Sequence, residues 1–377
     1  MQFRFRPGTI ATSSFALAPI VIAAVLSGLT GEAALAGGNK RQPIVIEDQG
    51  AFAFGGTSIS NAAGGTLHCD HGYAQYNIPA NERGLPLVMW HSASSITWEH
   101  TPDGRDAFQQ IFLRKGFPVY IIDLPRQGKA GWGCTPLNYT PEIGRDQATF
   151  ESWRFGLWPL GGEPNFFPGV QAPTRDPKWL DQMLRARYPE DNNPDADQFE
   201  ADSVTALLNK IGSSVLVTHS GSGVRGWVTA MTSPKVKGIV SFEPSVFRFP
   251  EGELPAPIAS AANGQIIPPG SEVSEAEFRR LTRIPIQIIV GDYVPDGPST
   301  LAGPERRRIT VIYAKAFIKA INDRGGDAEF VELPKKGLRG NTHLMMLDLN
   351  NDKVAEIMAD FLKRKRLDKR SHPQGHF

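Results

Sequence analysis

Short apolar runs alternate with helical patterns along most of the chain. The runs cover Leu85–Trp90, Val119–Ile122, Val215–Val217, Ile239–Val240, Ile286–Val290 and Ala328–Leu333. Between them, apolar residues recur at the i, i+3 and i+4 spacing of an amphipathic helix, most clearly over Phe108–Phe112, Ile309–Ile321 and Val354–Leu362. Strands that are apolar on both faces, with helices between them, predict the α/β class, with a mostly parallel central sheet and helices on both faces.

Two candidate strands precede this alternation, at Pro43–Glu47 and Thr66–Pro79. The first is short and apolar, and the apolar positions of the second alternate less cleanly than a half-buried strand requires. The pairs Gly55-Gly56 and Gly64-Gly65 lie between them, and paired glycines predict turns there.

Two segments interrupt the rhythm of strands and helices. Residues 127–198 hold many tryptophans and phenylalanines among glycines and prolines, and residues 246–283 are polar and rich in proline. In open parallel sheets, ligands bind beyond the carboxyl ends of the strands. We therefore expect one domain, residues 37–377, in which these two segments form loop-rich cap insertions over that edge.

The first residues have the pattern of a secretory signal peptide. Arg4 and Arg6 precede an apolar stretch over Ile10–Leu29, and Ala34–Ala36 gives the small-x-small pattern of a cleavage site. The sequence predicts a signal peptide at residues 1–36, export to the periplasm or medium, and no stable membrane association after cleavage.

Composition and charge limit the possible partners. The chain has 377 residues and a net charge of +1, which gives no reason to expect nucleic acid as a partner. Its two cysteines are too few for a Cys-based zinc or iron–sulfur site. An exported chain with two cysteines usually pairs them, so we expect a Cys69–Cys134 disulfide. No metal or organic cofactor is expected, and the sequence leaves the oligomeric state open.

The segment Val215–Val224 carries the clearest chemical signal. An apolar strand runs into a turn rich in serine and glycine and then into a helix, which is the context of a nucleophile elbow. Ser220 and Ser222 compete for the nucleophile position. Ser220 directly follows the strand and has the small residues Thr218 and Ser222 two positions away on each side, so it is preferred.

A serine nucleophile needs a histidine base, and in this fold the chain order is serine, acid, histidine. Of the histidines after Ser220, only His343 lies outside the C-terminal tail. It occupies a loop between the last strand and the last helix. His343 is therefore the predicted base.

Two carboxylates compete to orient that base. Asp292 follows the Ile286–Val290 strand, and Glu243 follows the strand before it. Spacing alone favours Asp292 slightly. For the oxyanion hole, the predicted donors are the backbone amides of Gly221, beside the nucleophile, and Ala93, in the loop after Leu85–Trp90.

Several motifs together resemble a small group of secreted bacterial α/β-hydrolase esterases. They are Leu87–Ser92, Trp98–Arg105, Phe112–Gly116, Thr218–Gly223, Phe242–Pro244 and Gly340–His343. In that group the acid is a glutamate at the end of strand six, which implies Glu243 rather than Asp292. The group also carries two adjacent cysteines in its oxyanion loop, where this chain has Ala93 and Ser94.

The resemblance implies an α/β-hydrolase fold and serine-dependent hydrolysis of a small-molecule carboxylic ester through an acyl-enzyme. Four tryptophans in or near the insertions are candidates for an apolar substrate pocket: Trp98, Trp132, Trp153 and Trp158. The alternatives are another serine acyl hydrolase (a lactonase, polyester hydrolase or amidase) and an exported hydrolase fold that binds without catalysis.

Overall fold

The computed structural model describes residues 42–91, 94–136, 139–189 and 196–370. The described residues from Ile44 onward belong to one compact unit. The predicted signal peptide, residues 1–36, lies outside the described residues. Within them, no helix has the length and apolar character to span a membrane.

An eight-stranded sheet forms the centre of this unit. Its strands are β1 (Ile46–Ser60), β2 (Thr66–Pro79), β3 (Leu87–His91), β4 (Val119–Asp123), β5 (Ser214–His219), β6 (Val236–Phe242), β7 (Pro285–Val290) and β8 (Asp327–Glu332). The spatial order is β1-β2-β4-β3-β5-β6-β7-β8. The pairs β1–β2 and β2–β4 are antiparallel, and every later pair is parallel.

Helices cover both faces of the sheet. They are α1 (Ile96–Glu99), α2 (Phe108–Arg114), α3 (Arg145–Ser152), α4 (Pro177–Arg185), α5 (Ala196–Ile211), α6 (Ser222–Thr232), α7 (Glu275–Leu281), α8 (Ala302–Asp323) and α9 (Asn351–Arg364). Side chains of a strand alternate between faces, so Leu216 of β5 joins one hydrophobic cluster while Val215 and Val217 join the other. This double-sided core is the α/β-hydrolase fold, and the predicted fold class is confirmed.

The expected turn at Gly55-Gly56 is wrong, because β1 continues through both glycines to Ser60. Both have positive φ, of 61° and 81°. A Cβ at Gly55 would lie 2.9 Å from Ser203 Oγ, and one at Gly56 would lie 2.9 Å from His71 Cα. The glycines thus allow close approach of neighbouring elements within a continuous strand.

The two expected insertions contain short regular elements. Residues 127–198 include α3, α4 and the small hairpin Gly156–Leu157 with Asn165–Phe166. In residues 246–283, Phe247–Pro250 pairs in parallel with Gly270–Val273. The helix α7 follows, and it begins with a reciprocal capping box between Ser274 and Glu277.

A disulfide joins Cys69 of β2 to Cys134, as the sequence predicts. The same region is held by Asp70, whose carboxylate forms an ion pair with Arg126 at 2.9 Å and accepts the Cys134 amide at 3.1 Å. The start of the first insertion is therefore fastened to the antiparallel part of the sheet.

Candidate active site

Ser220 lies at the sharp turn between β5 and α6. Its φ is +55°, a left-handed conformation that non-glycine residues rarely adopt. Its amide donates to the carbonyl of Phe242 at 2.9 Å, which ties the turn to the end of β6. A strained residue held by its surroundings is a common feature of active sites.

Two glycines of α6 make this turn possible. A Cβ at Gly223 would lie 2.7 Å from Cβ of Pro244, and one at Gly226 would lie 2.9 Å from Cγ2 of Thr218. Real Cβ atoms do not approach other atoms so closely, because van der Waals repulsion rises steeply there. The turn therefore requires small residues at positions 223 and 226 as well as at positions 218 and 222, where the sequence predicts them.

Ser222, the competing serine, is fully buried and already bonded. Its hydroxyl donates to the carbonyl of His219 at 2.7 Å and accepts the His219 amide at 2.9 Å. It also lies 3.1 Å from the carbonyl of Trp90. A hydroxyl with these bonds stabilises the turn and is not available to a substrate.

The structure brings Ser220, His343 and Glu243 together from three separate parts of the chain. Nε2 of His343 lies 3.0 Å from Oγ of Ser220, and Nδ1 lies 2.5 Å from Oε2 of Glu243. The carboxylate therefore accepts the Nδ1 proton, which leaves Nε2 free to accept the serine proton. This is the geometry of a nucleophile, a base and an orienting acid.

Asp292, the other candidate acid, has a different role. Its Oδ2 accepts the amide of Gly340 at 2.7 Å, and its backbone carbonyl accepts Nε of Arg154 at 2.9 Å. It positions the loop that carries His343 and makes no hydrogen bond to the imidazole.

Glu243 is fully buried between two arginines that the sequence analysis did not identify. Its Oε1 binds Nη2 of Arg154 and the amide of Gly291, and its Oε2 lies 3.1 Å from Nε of Arg307. Burial alone would raise the pKa of this carboxyl, but the charges of Arg154 and Arg307 and the hydrogen bond from His343 hold its pKa well below the usual value.

His343 is almost completely buried, and burial lowers its pKa to about 3. Glu243 favours the protonated form, but Arg307 and Arg154 oppose it. The imidazole is therefore neutral at ordinary pH, as a general base must be.

Hydrogen bonds from several directions fix the loop around His343. Its carbonyl lies 2.8 Å from Nε2 of His219, and its amide donates to the carbonyl of Trp153 at 2.9 Å. The buried carboxyl of Asp348 accepts the amide of Thr342 at 2.7 Å and the side-chain amide of Asn341 at 3.0 Å. Asp348 follows Thr342 by six positions but lies outside the motifs used in the sequence analysis, so its role was not predicted.

The predicted oxyanion donors are only partly within the described residues. The Gly221 amide directly follows the nucleophile at the start of α6, and no described residue accepts it. Ala93 lies outside the described residues. The part of its loop that is described is anchored, because the amide of Ser95 donates to the hydroxyl of Tyr188 at 2.6 Å.

A small cavity of about 130 Å³ opens beside the Ser220 hydroxyl. It is lined by Ser152, Trp153, Ser220, Ser245, Gly303, Arg306, Arg307 and His343. Most of these side chains are polar or cationic, and none is acidic. The cavity thus differs in character from the apolar pocket that the sequence predicts.

Of the four tryptophans expected in the pocket, the structure places only Trp153 on this cavity. Trp98 is fully buried in the core against Phe108 and Phe242. Trp132 is 62% exposed on the surface. Trp158 packs on Phe150 and donates its indole N–H to the Gly162 carbonyl. In the described part of the chain, no cluster of His, Cys, Asp and Glu side chains could hold a metal ion.

No family model matches the chain, but known proteins are similar to it over most of its length. A fungal protein (Fungal sp., strain ATCC 74256) named Probable secreted lipase phiG is 27% identical over 327 residues, which is 78% of this chain and 86% of that protein. A solved structure described as a novel bacterial esterase has a TM-score of 0.68 and 27% identity, covering 86% of this chain and 98% of that one.

Proposed function

We propose that this protein is an exported serine esterase that hydrolyses carboxylic esters through an acyl-enzyme. The observation that carries the proposal is the continuous contact from Ser220 through His343 to the buried Glu243. The similarity to a lipase and to an esterase over most of the chain supports an ester as the substrate class.

The geometry suits a two-step acyl transfer. As Oγ of Ser220 attacks the ester carbonyl, its proton passes to Nε2 of His343, and the imidazolium is stabilised by the carboxylate of Glu243. The amide of Gly221, with a second donor from the loop at Ala93, stabilises the oxyanion. The protonated His343 then donates to the departing alcohol. Water, activated by the same imidazole, releases the acid and restores Ser220.

Export is the second part of the proposal. The signal-peptide pattern of residues 1–36 and the Cys69–Cys134 disulfide both fit an oxidising compartment. The name of the fungal relative, which includes the word secreted, points the same way.

The decisive experiment compares two serine variants in the same turn. Wild type, Ser220→Ala and Ser222→Ala are assayed on p-nitrophenyl esters of increasing acyl length and treated with a fluorophosphonate probe. We expect Ser220→Ala to lose both hydrolysis and labelling, and Ser222→Ala to remain labelled. A folded wild type that neither hydrolyses any ester nor takes the label would indicate a binding protein instead. A parallel panel of lactones, polyesters and amides separates the related hydrolase activities.

A further inference from the structure

The wall of the cavity beside Ser220 carries an arginine that no described residue neutralises. Arg306 is exposed and lines the cavity with Ser220 and His343. No hydrogen bond or ion pair joins it to another residue in the described part of the chain. Arginine is suited to bind planar anions because its guanidinium presents a rigid fork of N–H donors.

The charge around the cavity is positive in sum. Among the described residues that line the cavity, Arg306 and Arg307 are cationic and none is acidic, and Arg307 is paired with the buried Glu243. Burial, and then the neighbouring charges of Arg154 and Arg306, lower the pKa of Arg307 to about 10 although Glu243 raises it. Of these arginines, Arg306 is the one whose charge is not paired with another described residue.

The acids nearest in sequence are occupied elsewhere. Glu305 forms an ion pair with Arg308 at 2.7 Å and accepts the amides of Ser299 and Ala261. None of the described residues that line the cavity carries a carboxylate. The charge of Arg306 therefore faces the space that a substrate would enter.

Other groups on the same wall also favour an anion. Ser152 and Ser245 place hydroxyl side chains on the cavity, and Gly303 lies in the first turn of the 22-residue helix α8. The amino end of a helix carries partial positive charge. The volume of about 130 Å³ is only about four times the share of one water molecule in the liquid. This volume suits a short polar arm.

We propose that this cavity binds a carboxylate on a short arm of the ester substrate, with Arg306 as the residue that selects it. The inference rests on the proposed esterase function and narrows its substrate class to short esters that carry a negative charge. In this arrangement Trp153, Ser152 and Ser245 form the walls around the short arm of the substrate, and Arg306 forms an ion pair with its carboxylate.

Matched ester pairs that differ only in this charge test the proposal. On the acyl side, monoethyl succinate is compared with ethyl levulinate, in which a methyl ketone replaces the carboxylate. On the alcohol side, acetoxyacetate is compared with acetoxyacetamide. Released acid is quantified by chromatography, and the ratio of kcat/KM for the charged over the neutral ester is the readout. The pair that shows the preference identifies the side of the ester that enters the cavity.

The variants are Arg306→Gln, Arg306→Lys and the control Arg175→Gln, which removes an exposed arginine outside the cavity. We expect wild type to prefer the charged ester in one pair by at least about tenfold. Arg306→Gln should lower that ratio by about tenfold to a hundredfold, as expected for loss of a charged hydrogen-bonded pair. Arg306→Lys should retain part of the preference for the charged ester, because lysine keeps the positive charge but lacks the planar set of N–H donors of the guanidinium. Arg175→Gln should keep the wild-type ratio.

Different results would overturn the anionic subsite and the esterase activity. Hydrolysis of neutral and charged esters at similar rates, or an unchanged ratio in Arg306→Gln, would overturn the anionic subsite and leave the esterase proposal standing. Absence of any Ser220-dependent hydrolysis in either pair and on p-nitrophenyl acetate would overturn both.

Discussion

At the residue scale, the choice between Glu243 and Asp292 depends on contacts that no local pattern encodes. Both follow a buried strand, and spacing alone favoured Asp292. The contact that distinguishes them joins Glu243 to His343, 100 positions later. The two arginines on Glu243 are also distant from it in the chain, so no local pattern indicated them. Only the family resemblance pointed to Glu243.

We expect Glu243→Gln to lower kcat by about a thousandfold or more, since an amide in this position disturbs the histidine tautomer. Asp292→Asn should lower kcat much less, because the Asp292 carboxylate accepts the backbone amides of Gly340 and Tyr293 and makes no hydrogen bond to the imidazole. Steady-state kinetics on one neutral p-nitrophenyl ester measures both.

The control for this pair is thermal unfolding. Glu243→Gln leaves Arg154 and Arg307 as buried cations without a carboxylate, which is destabilising. Kinetics are therefore measured well below the Tm of each variant. A larger loss of kcat in Asp292→Asn than in Glu243→Gln would restore Asp292 as the acid.

The pH dependence follows from the buried base. A group with a lowered pKa keeps its neutral form to lower pH, and burial lowers the pKa of His343 to about 3. We expect kcat/KM on a neutral ester to stay nearly constant from pH 7 down to about pH 5, instead of falling around 6.5 as for an ordinary histidine. Circular dichroism at each pH separates titration from unfolding. A midpoint near 6.5 in a folded enzyme would contradict this prediction.

At the element scale, the apolar runs located the strands β3 to β8 well, because a strand buried on both faces must be apolar throughout. The prediction failed where glycine served close packing instead of a turn, as at Gly55-Gly56 in β1. The prediction of the pocket also failed for two of its tryptophans. They were assigned to the pocket because they lie in or near the aromatic-rich insertions, whereas Trp98 is buried in the core and Trp132 is exposed on the surface.

The approach of α6 to the end of β6 gives a test at this scale. Gly223→Ala adds a Cβ that would lie 2.7 Å from Cβ of Pro244, so the helix must shift and carry Ser220 with it. We expect the free energy of unfolding to fall by about 1–3 kcal/mol and kcat to fall by at least tenfold. Urea denaturation and ester kinetics measure the two effects.

Gly297→Ala is the matched control, because nothing lies within 4 Å of a Cβ there. It should change stability by no more than about 1 kcal/mol, in the stabilising direction, and leave kcat unchanged. Equal behaviour of the two variants would show that the close approach of α6 does not constrain the nucleophile.

At the scale of the whole molecule, the disulfide is a long-range constraint. Cys69 and Cys134 are separated by 65 positions. Closing a loop of this length removes conformational entropy from the unfolded chain, worth about 4 kcal/mol in the chain-entropy account. We expect the double variant Cys69→Ala, Cys134→Ala to lose about that much free energy of unfolding. Wild type in excess reductant should match the variant, and a reductant-insensitive wild type would contradict the prediction.

The position of this bond along the chain also bears on the order of assembly. The first four strands of the chain are neighbours in space, β1-β2-β4-β3, and the last four continue the sheet from β3. Both cysteines precede β5, which leads into Ser220. If the chain is exported from its N-terminus, as proposed, we expect the first half-sheet to pair and be cross-linked while the second is still being delivered. The edge of β3 would then be the surface on which β5 docks, and the candidate active site, which needs Ser220, Glu243 and His343, would be completed after the disulfide forms.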